Sequence, residues 1–234
     1  MKLPFHYAWW AVCLAGVLLT GGAARAQVPV AGSGTGVNVA FVKLFSPLTA
    51  FSAKVETQSI DAYQQVLVKM PMELAALDGK VRLDIDLAQV QSKDFSAATL
   101  ATLKQSGLDR MVSLFRPDKK LNYIIYPGIQ SYQEVAMTAG ESEAYQKGLR
   151  LERTGQSKET VDGHPCTKSK SVVLNGTNAV LEATTWNATD LSNFPVKIEM
   201  KEKGLTVRMR LSEAQFRKPD AKLFEVPAGY GRMK

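Results

Sequence analysis

The feature that most constrains this chain is a two-residue alternation of apolar and polar side chains that recurs along most of its length. In the segment KVRLDIDL, residues 80–87, every odd-numbered residue is apolar and every even-numbered residue is charged. Successive side chains of a β-strand point to opposite faces, so this pattern describes a strand with one dry and one solvated face. Strands of this kind build an antiparallel sheet whose dry side must be covered.

The same alternation predicts several hairpins. The segment VKIEMKEKGLTVRMRL, residues 196–211, places two rows of apolar residues on one face, joined by a turn at Gly204. QVLVKMPM, residues 65–72, precedes KVRLDIDL and is separated from it by the turn signal LDG. We expect its dry face to consist of Val66, Val68, Met70 and Met72. KKLNYIIYPG and QSYQEVAM predict a further hairpin, and from Leu149 onwards the chain is almost wholly β.

Three segments depart from the alternation and favour helices. VNVAFVKLFSPLTAF, residues 37–51, predicts a short amphipathic helix that ends near Pro47, and residues 140–148 predict one or two helical turns. Residues 92–115 predict one long helix with a weak point at Gly107. The apolar residues at helical spacing in this long segment are Leu100, Leu103, Met111 and Leu114.

These elements predict an α+β fold that is mainly β. Two or three helices are too few to cover the dry face of nine or ten flat strands. We therefore expect one strongly curved antiparallel sheet, an incomplete barrel, with a few helices in its concave side.

The first residues favour a secretory signal peptide. Lys2 precedes the apolar run YAWWAVCLAGVLLTG, and the small residues of AARA follow, which predicts cleavage after Ala26. The alternative is a retained membrane anchor, but the run is short for a span. We expect a flexible lead-in over residues 27–36, a single domain over residues 37–234, and export to the periplasm of a bacterium.

Charge argues against a nucleic-acid partner. Removal of the leader takes away Lys2 and Arg25, which lowers the formal net charge from +7 to +5. The remaining lysines and arginines are dispersed along the chain and form no basic tract. This distribution favours an ordinary exported domain without nucleic-acid binding.

The segment TVDGHPCTKSK, residues 160–170, carries the strongest candidate for reactive chemistry. His164 and Cys166 are two residues apart at the predicted start of a strand, and they are the only histidine and cysteine beyond the leader. A thiol nucleophile needs a base and usually a third group that orients the base, and no acidic residue in the neighbouring sequence is an obvious candidate. A zinc site needs three or four nitrogen or sulfur ligands. We therefore expect a packed cysteine, no catalytic residue and no cofactor.

A calcium site at Asp84 and Asp86 is the other metal hypothesis. The two carboxylates lie on one solvated face of a predicted strand, but two ligands on a rigid strand are few for calcium. A solvated face is the preferred interpretation, so we expect no metal site.

Methionines are frequent among the residues predicted to be dry. Methionine is flexible and polarizable, so it suits a surface that accepts varied apolar ligands, and it also fills ordinary cores. Both interpretations stay open at this point. The methionines concerned are Met70, Met72, Met111, Met200 and Met209.

Three motifs resemble those of a group of exported bacterial proteins of unknown function. They are ETVDGHPCTKSKSVV, TTWNATDLSNFPVKIEM and LFEVPAGYGRM, and the similarity spans roughly residues 51–233. This group is similar to the LolA/LppX superfamily of periplasmic lipoprotein and lipid carriers. The resemblance implies a curved, incomplete barrel with an apolar cavity between sheet and helices, and non-enzymatic binding of a lipid, lipoprotein or other hydrophobic ligand. The related RseB-like branch implies the alternative, an envelope sensor or protein-interaction module without a small ligand.

Under the carrier hypothesis an acyl chain lies against the dry face of the sheet, beneath the helix predicted over residues 92–115. The expected partner is thus a hydrophobic ligand, with an envelope protein as a further possible partner. The candidate ligand-binding residues are Val68, Met70, Leu83, Ile85, Leu103, Met111, Met200 and Met209.

Overall fold

The computed structural model describes residues 39–92 and 95–233. The predicted signal peptide with its cleavage site after Ala26 and the lead-in of residues 27–36 lie outside the described residues. Within them the helices are α1 (Val39–Lys43), α2 (Ala97–Gln105) and α3 (Ala139–Lys147). The strands are β1 (Ala50–Ile60), β2 (Val66–Leu77), β3 (Lys80–Asp86), β4 (Gln91–Ser92), β5 (Arg110–Arg116), β6 (Leu121–Tyr126), β7 (Ser131–Ala136), β8 (Arg150–Val161), β9 (His164–Asn175), β10 (Asn178–Ala188), β11 (Phe194–Glu202), β12 (Leu205–Gln215) and β13 (Gly231–Arg232).

All these strands belong to one sheet. Their order is β13-β7-β6-β5-β3-β2-β1-β12-β11-β10-β9-β8, and the short β4 pairs with β2 beside this path. Among the described strands only the contact between β13 and β7 is parallel. The sheet ends at β13 and at β8, so it is not closed. The predicted fold class, a mainly β, curved antiparallel sheet with a few helices, is confirmed.

The connection between β7 and β8 explains the curvature. The two strands are consecutive in the chain but lie ten strand spacings apart, which would separate them by about 48 Å in a flat sheet. Residues 137–149 join them, and nine of these residues form α3, so the connection reaches only about 30 Å. The sheet therefore has to curl until its edges approach each other, and α3 crosses the concave side.

Two elements cover the concave face. The connection through α3 contributes Met137, Ala144 and Leu149 to the main hydrophobic cluster. The start of α3 is fixed by a capping box between Thr138 and Glu141. The predicted short helix before Pro47 is confirmed as α1, which contacts α3 and β10 in the same concavity.

The turn after α1 holds an aromatic cluster at one end of the concave face. The ring of Phe45 stacks on Phe51 with 4.9 Å between centroids and lies 5.8 Å from Phe194. Phe51 and Phe194 themselves meet edge to face at 5.3 Å. Leu44 is completely buried beside them. These contacts bind α1 to the ends of β1 and β11.

The hairpin predicted over residues 196–211 is confirmed as β11 and β12. Ile198 lies opposite Met209 on the buried face, and Glu199 lies opposite Arg208 on the outer face. Glu199 is ion-paired with Arg208 at 2.7 Å and with Lys197 at 3.1 Å. The alternation in the sequence therefore corresponds to a dry concave face and a charged convex face.

The long helix predicted over residues 92–115 is wrong. The helix α2 ends at residue 105, Gly107 adopts a left-handed conformation with φ of 69°, and Met111 and Leu114 belong to strand β5. The left-handed turn at Gly107 also lets the backbone of Gly128 approach closely. Because β5 is buried on both faces, its sequence lacks the alternation that revealed the other strands.

The prediction that Val66 shares the dry face of β2 is also wrong. Val66 is 49% exposed, whereas Val68 is 7% exposed. The pairing of β1 with β2 is irregular at this point, because Ser59 pairs with Val68 and Ile60 pairs with Val66. One residue is thus inserted, and the alternation is interrupted at the start of β2.

A second hydrophobic cluster lies on the convex face of β5 and β6. Phe224, from the C-terminal segment of residues 216–233, packs there against Leu114, Tyr123 and their neighbours. The guanidinium of the buried Arg116 donates to the Phe224 carbonyl, is hydrogen-bonded to Asp118 and forms an ion pair with Glu225 at 2.7 Å. The C-terminal segment is therefore tied to the outside of the sheet by both apolar and charged contacts.

We expect Phe224→Ala to lower the free energy of unfolding by about 3–5 kcal/mol, because the side chain is 1% exposed and its removal leaves a cavity. Leu223→Ala is the matched control, because Leu223 is the residue next to Phe224 and is 42% exposed. This substitution should change the free energy of unfolding by less than about 0.5 kcal/mol. Urea denaturation followed by circular dichroism measures both. Equal effects of the two changes would contradict the docking of the C-terminal segment.

Candidate functional site

The dry concave face is the candidate site, and most of the predicted ligand-binding residues lie on it. The side chains of five of them are at most 7% exposed and belong to the main hydrophobic cluster. Two more, Met111 and Met200, are half-buried and pack against this cluster. The five buried residues are Val68, Met70, Leu83, Ile85 and Met209.

Strand register brings the methionines of neighbouring strands together. Thr57 on β1 lies opposite Met209 on one side and opposite Met70 on the other. Ile85 on β3 is flanked in the same way by Met72 and Met111. Thr57 lies six residues, or about 20 Å, along β1 from the aromatic cluster at Phe51. The methionines therefore occupy the end of the concave face that is remote from α1.

Leu103 does not lie with the other predicted residues. It is half-buried on α2, and it packs against neither hydrophobic cluster. The described residues of α2 include none that is buried. The helix predicted to cover the ligand is thus replaced by α1 and the connection through α3.

The concave face also carries polar side chains that the alternation pattern did not predict. Thr185 donates a hydrogen bond to the side-chain oxygen of Asn187 and accepts one from Ser171, both at 2.8 Å. The amide of Asn187 donates to the Asn193 carbonyl at 2.8 Å. The hydroxyl of Thr57 is buried without a hydrogen-bond partner. Serine and threonine at alternating positions of β1, β9 and β10 were the available signal for a partly polar face.

A small cavity lies between α1 and strands β1–β3. Its volume is about 20 Å³, and its lining includes Phe41, Phe45, Phe51, Leu74 and Val81. This volume holds about one water molecule, whereas pockets for organic ligands have volumes of about 300–1,000 Å³. At this end of the concave face, α1 therefore occupies the space that an acyl chain would need.

Cys166 and His164 lie at the start of β9, as predicted, and a third residue joins them. Asp190 Oδ2 lies 2.8 Å from His164 Nδ1, so an acidic residue 26 positions along the chain contacts the imidazole. The thiol, however, donates to the backbone carbonyl of His164 at 3.3 Å and not to the ring. Burial raises the pKa of the Cys166 thiol, and the charge of Asp190 adds to this effect. A protonated, 3% exposed thiol is a poor nucleophile.

The carboxylates considered for calcium have other partners. Arg82 forms two hydrogen bonds of 2.6 Å to Asp84. Asp86 accepts from the backbone of Ala88 and from the side chain of Gln89. In the part of the chain that the structure describes, no group of three or more histidine, cysteine or acidic side chains could hold a metal ion. None of the described helices is long and apolar enough to cross a membrane.

Comparison with known proteins gives a partial family match and likenesses to solved structures. The model of a family described as a domain of unknown function (DUF4412) matches residues 174–230. No curated protein matches the chain.

The solved structures similar to this chain include a LolA superfamily protein, the lipoprotein LppX and LprF. A LolA superfamily protein from Nitrosomonas europaea is 10% identical with a TM-score of 0.38, covering 76% of this chain and 91% of its own. The lipoprotein LppX from Mycobacterium tuberculosis is 12% identical with a TM-score of 0.37, and the match covers 74% of this chain and 90% of LppX. LprF from Mycobacterium bovis is 12% identical with a TM-score of 0.38, and the match covers 81% of this chain and 93% of LprF. The predicted LolA/LppX resemblance is confirmed as a likeness of fold, and nothing about activity follows from it.

We expect Cys166 to react with a disulfide reagent more slowly in the native protein than in the denatured chain, because its raised pKa keeps the thiol protonated at neutral pH. The pH at which the native rate rises should lie above that of the denatured chain. Stopped-flow measurement of the rate against pH checks this. Asp190→Asn should move the native profile to lower pH, and a native profile at or below the denatured one would contradict the assignment.

Proposed function

We propose that this protein is an exported, non-enzymatic binding or carrier protein for a lipid, a lipoprotein acyl chain or another hydrophobic ligand of the bacterial envelope. The observation that carries the proposal is the meeting of methionines from neighbouring strands on the concave face, where Met70 and Met209 flank Thr57. Methionine side chains adapt their shape to different apolar partners at low cost. Burial of an alkyl chain against them would contribute about 0.8 kcal/mol for each methylene group.

The size of α1 supports the same function. This helix has only five residues, and with the turn that follows it buries Ala40, Phe41, Leu44 and Phe45 in the main hydrophobic cluster. A cover attached by so few side chains can be displaced by an alkyl chain that replaces the same apolar contacts. The filled space beneath α1 is then a closed state of the carrier, and the ligand opens it.

The alternative of an envelope sensor or protein-interaction module depends on exposed contact residues. For this alternative the sequence offers two contact candidates, NYIIYPG and the C-terminal PAGYGRMK. In the first, Tyr123, Ile124 and Ile125 are all at most 7% exposed, whereas most of residues 227–233 are exposed. The buried first segment weakens this alternative and the exposed C-terminal residues leave it open, so it becomes an outcome of the experiment.

We expect protein purified from its native host to release a lipid in about stoichiometric amount on denaturing extraction, and to bind a fluorescent fatty acid after delipidation. Met200→Glu should weaken fatty-acid binding by about tenfold or more, because a carboxylate on the concave face loses hydration against the alkyl chain. Mass spectrometry of the extract and fluorescence titration measure the two effects.

Val66→Glu is the matched control, because it introduces the same carboxylate at a side chain that is 49% exposed. It should leave fatty-acid binding unchanged. A lipid-free extract together with the absence of fatty-acid binding would overturn the proposal. Crosslinking in the envelope that then captures one defined protein would establish the interaction module instead.

A further inference from the structure

Arg153 is a cation on the concave face, among residues that are otherwise apolar or uncharged. It lies opposite Ser171 in the pairing of β8 with β9, and directly opposed residues of an antiparallel pair share one face. Ser171 is completely buried on the concave side. The guanidinium Nη2 of Arg153 donates to the carbonyl of Leu44, just after α1, at 3.1 Å. Arg153 therefore points into the space between the sheet and α1.

The charge of Arg153 has no counter-ion among the residues that the structure describes. Of the ion pairs among the described residues, none includes Arg153, and its Nε atom is buried without a hydrogen-bond partner. Burial lowers the pKa of Arg153, which reflects the cost of a charged group that has lost water without gaining an anion.

Arg116 shows how the same chain compensates a buried guanidinium elsewhere. Its side chain is 5% exposed, and it is paired with both Asp118 and Glu225 and donates to a carbonyl as well. Arg153 is half-buried, so the cost is smaller than for a fully buried guanidinium, but its Nε has lost water without gaining an acceptor. The described part of the chain supplies no such oxyanion partner to Arg153.

The surroundings of Arg153 indicate which kind of molecule carries this oxyanion. Leu151 lies two residues away on the same face of β8 and packs against the main hydrophobic cluster. Val173, which is paired with Leu151, belongs to this cluster. The hydroxyls of Ser171 and Thr185 lie on the neighbouring strands. A guanidinium beside hydroxyls at the border of an apolar face matches a molecule with an anionic head and an alkyl chain.

We propose that Arg153 binds the anionic head group of an amphiphile, a carboxylate or a phosphate, whose alkyl chain lies on the concave face. This inference rests on the proposed function and adds the charge of the ligand to it. The head group would take the unpartnered Nε–H of Arg153. Because the neighbouring Nη2 binds the carbonyl after α1, the arrival of the head group and the displacement of α1 are coupled at one side chain.

The experiment compares palmitate, hexadecyl phosphate and hexadecanol, which share an alkyl chain and differ in the head group. Calorimetric titration of the delipidated protein should show the two anionic ligands binding about 10–100-fold more tightly than the alcohol, the range of a charged hydrogen bond. Inorganic phosphate alone should show no saturable binding, because it lacks the chain. Preference for palmitate or for the phosphate distinguishes the two head groups.

Arg153→Gln should weaken palmitate binding by about the same 10–100-fold and leave hexadecanol binding within about twofold. Arg153→Lys, which keeps the charge but loses the planar fork, should give an intermediate loss. Arg150→Gln is the matched control, because Arg150 carries the same charge on β8, is exposed and is paired with Glu152. It should change neither affinity.

The outcomes distinguish the head-group inference from the carrier function itself. Equal loss of palmitate and hexadecanol binding in Arg153→Gln would mean that Arg153 only positions α1, and would overturn the head-group inference. Equal binding of palmitate and hexadecanol to the unaltered protein would overturn it as well, while the carrier function would stand. Binding of none of the three ligands would overturn the proposed function itself.

Discussion

The short connection between β7 and β8 is the constraint on which the rest of this structure depends. It joins two strands that lie at opposite sides of the sheet, and it reaches only about 30 Å, much less than a flat sheet of this size would require. Curvature is therefore imposed by chain length as well as by the usual twist of strands. A concave face, a helix across its opening and a convex outer face all follow from this one connection.

The two faces of the curved sheet are stabilised in different ways. The convex face is covered partly by the C-terminal segment, whose Phe224 completes an outer hydrophobic cluster, and elsewhere it carries neutralised ion pairs such as Glu199 with Arg208. The concave face depends on α1 and α3, which are short and contribute few buried side chains. The concave face nevertheless carries the larger hydrophobic cluster, and most of its buried side chains come from the strands. The strand pairings and these side chains can therefore keep the sheet folded while the inner cover changes.

How much could be predicted from the sequence depended on whether a strand has one buried face or two. The strand β3 and the hairpin of β11 with β12 show a clear alternation, and both are where the sequence placed them. Strand β5 is buried on both faces, so its sequence shows no alternation. Met111 and Leu114 happen to lie at helical spacing, and they were therefore assigned to a helix. The exposed Val66 follows from a pairing irregularity between β1 and β2 that no local pattern reveals.

The predicted site was incomplete for the same kind of reason. Six of its eight apolar residues follow from alternation, whereas Leu103 and Met111 came from the predicted long helix. All except Leu103 lie on or against the concave core. Asp190 reaches His164 only because β9 and β10 are paired, and the contact of Arg153 with the carbonyl of Leu44 joins residues more than a hundred positions apart. Pairwise contacts of this kind are set by the register and the curvature of the sheet, and a single sequence carries no direct signal for them.

The energy of the inner cover limits which ligands this fold could carry. Displacement of α1 would expose Phe41, Leu44 and Phe45, at a cost of about 2–3 kcal/mol for each side chain. An alkyl chain recovers about 0.8 kcal/mol for each methylene group, so about ten methylene groups are needed before the exchange is favourable on apolar contacts alone. A shorter chain would have to gain the difference elsewhere, and on the concave face the uncompensated charge of Arg153 is the group that can supply it.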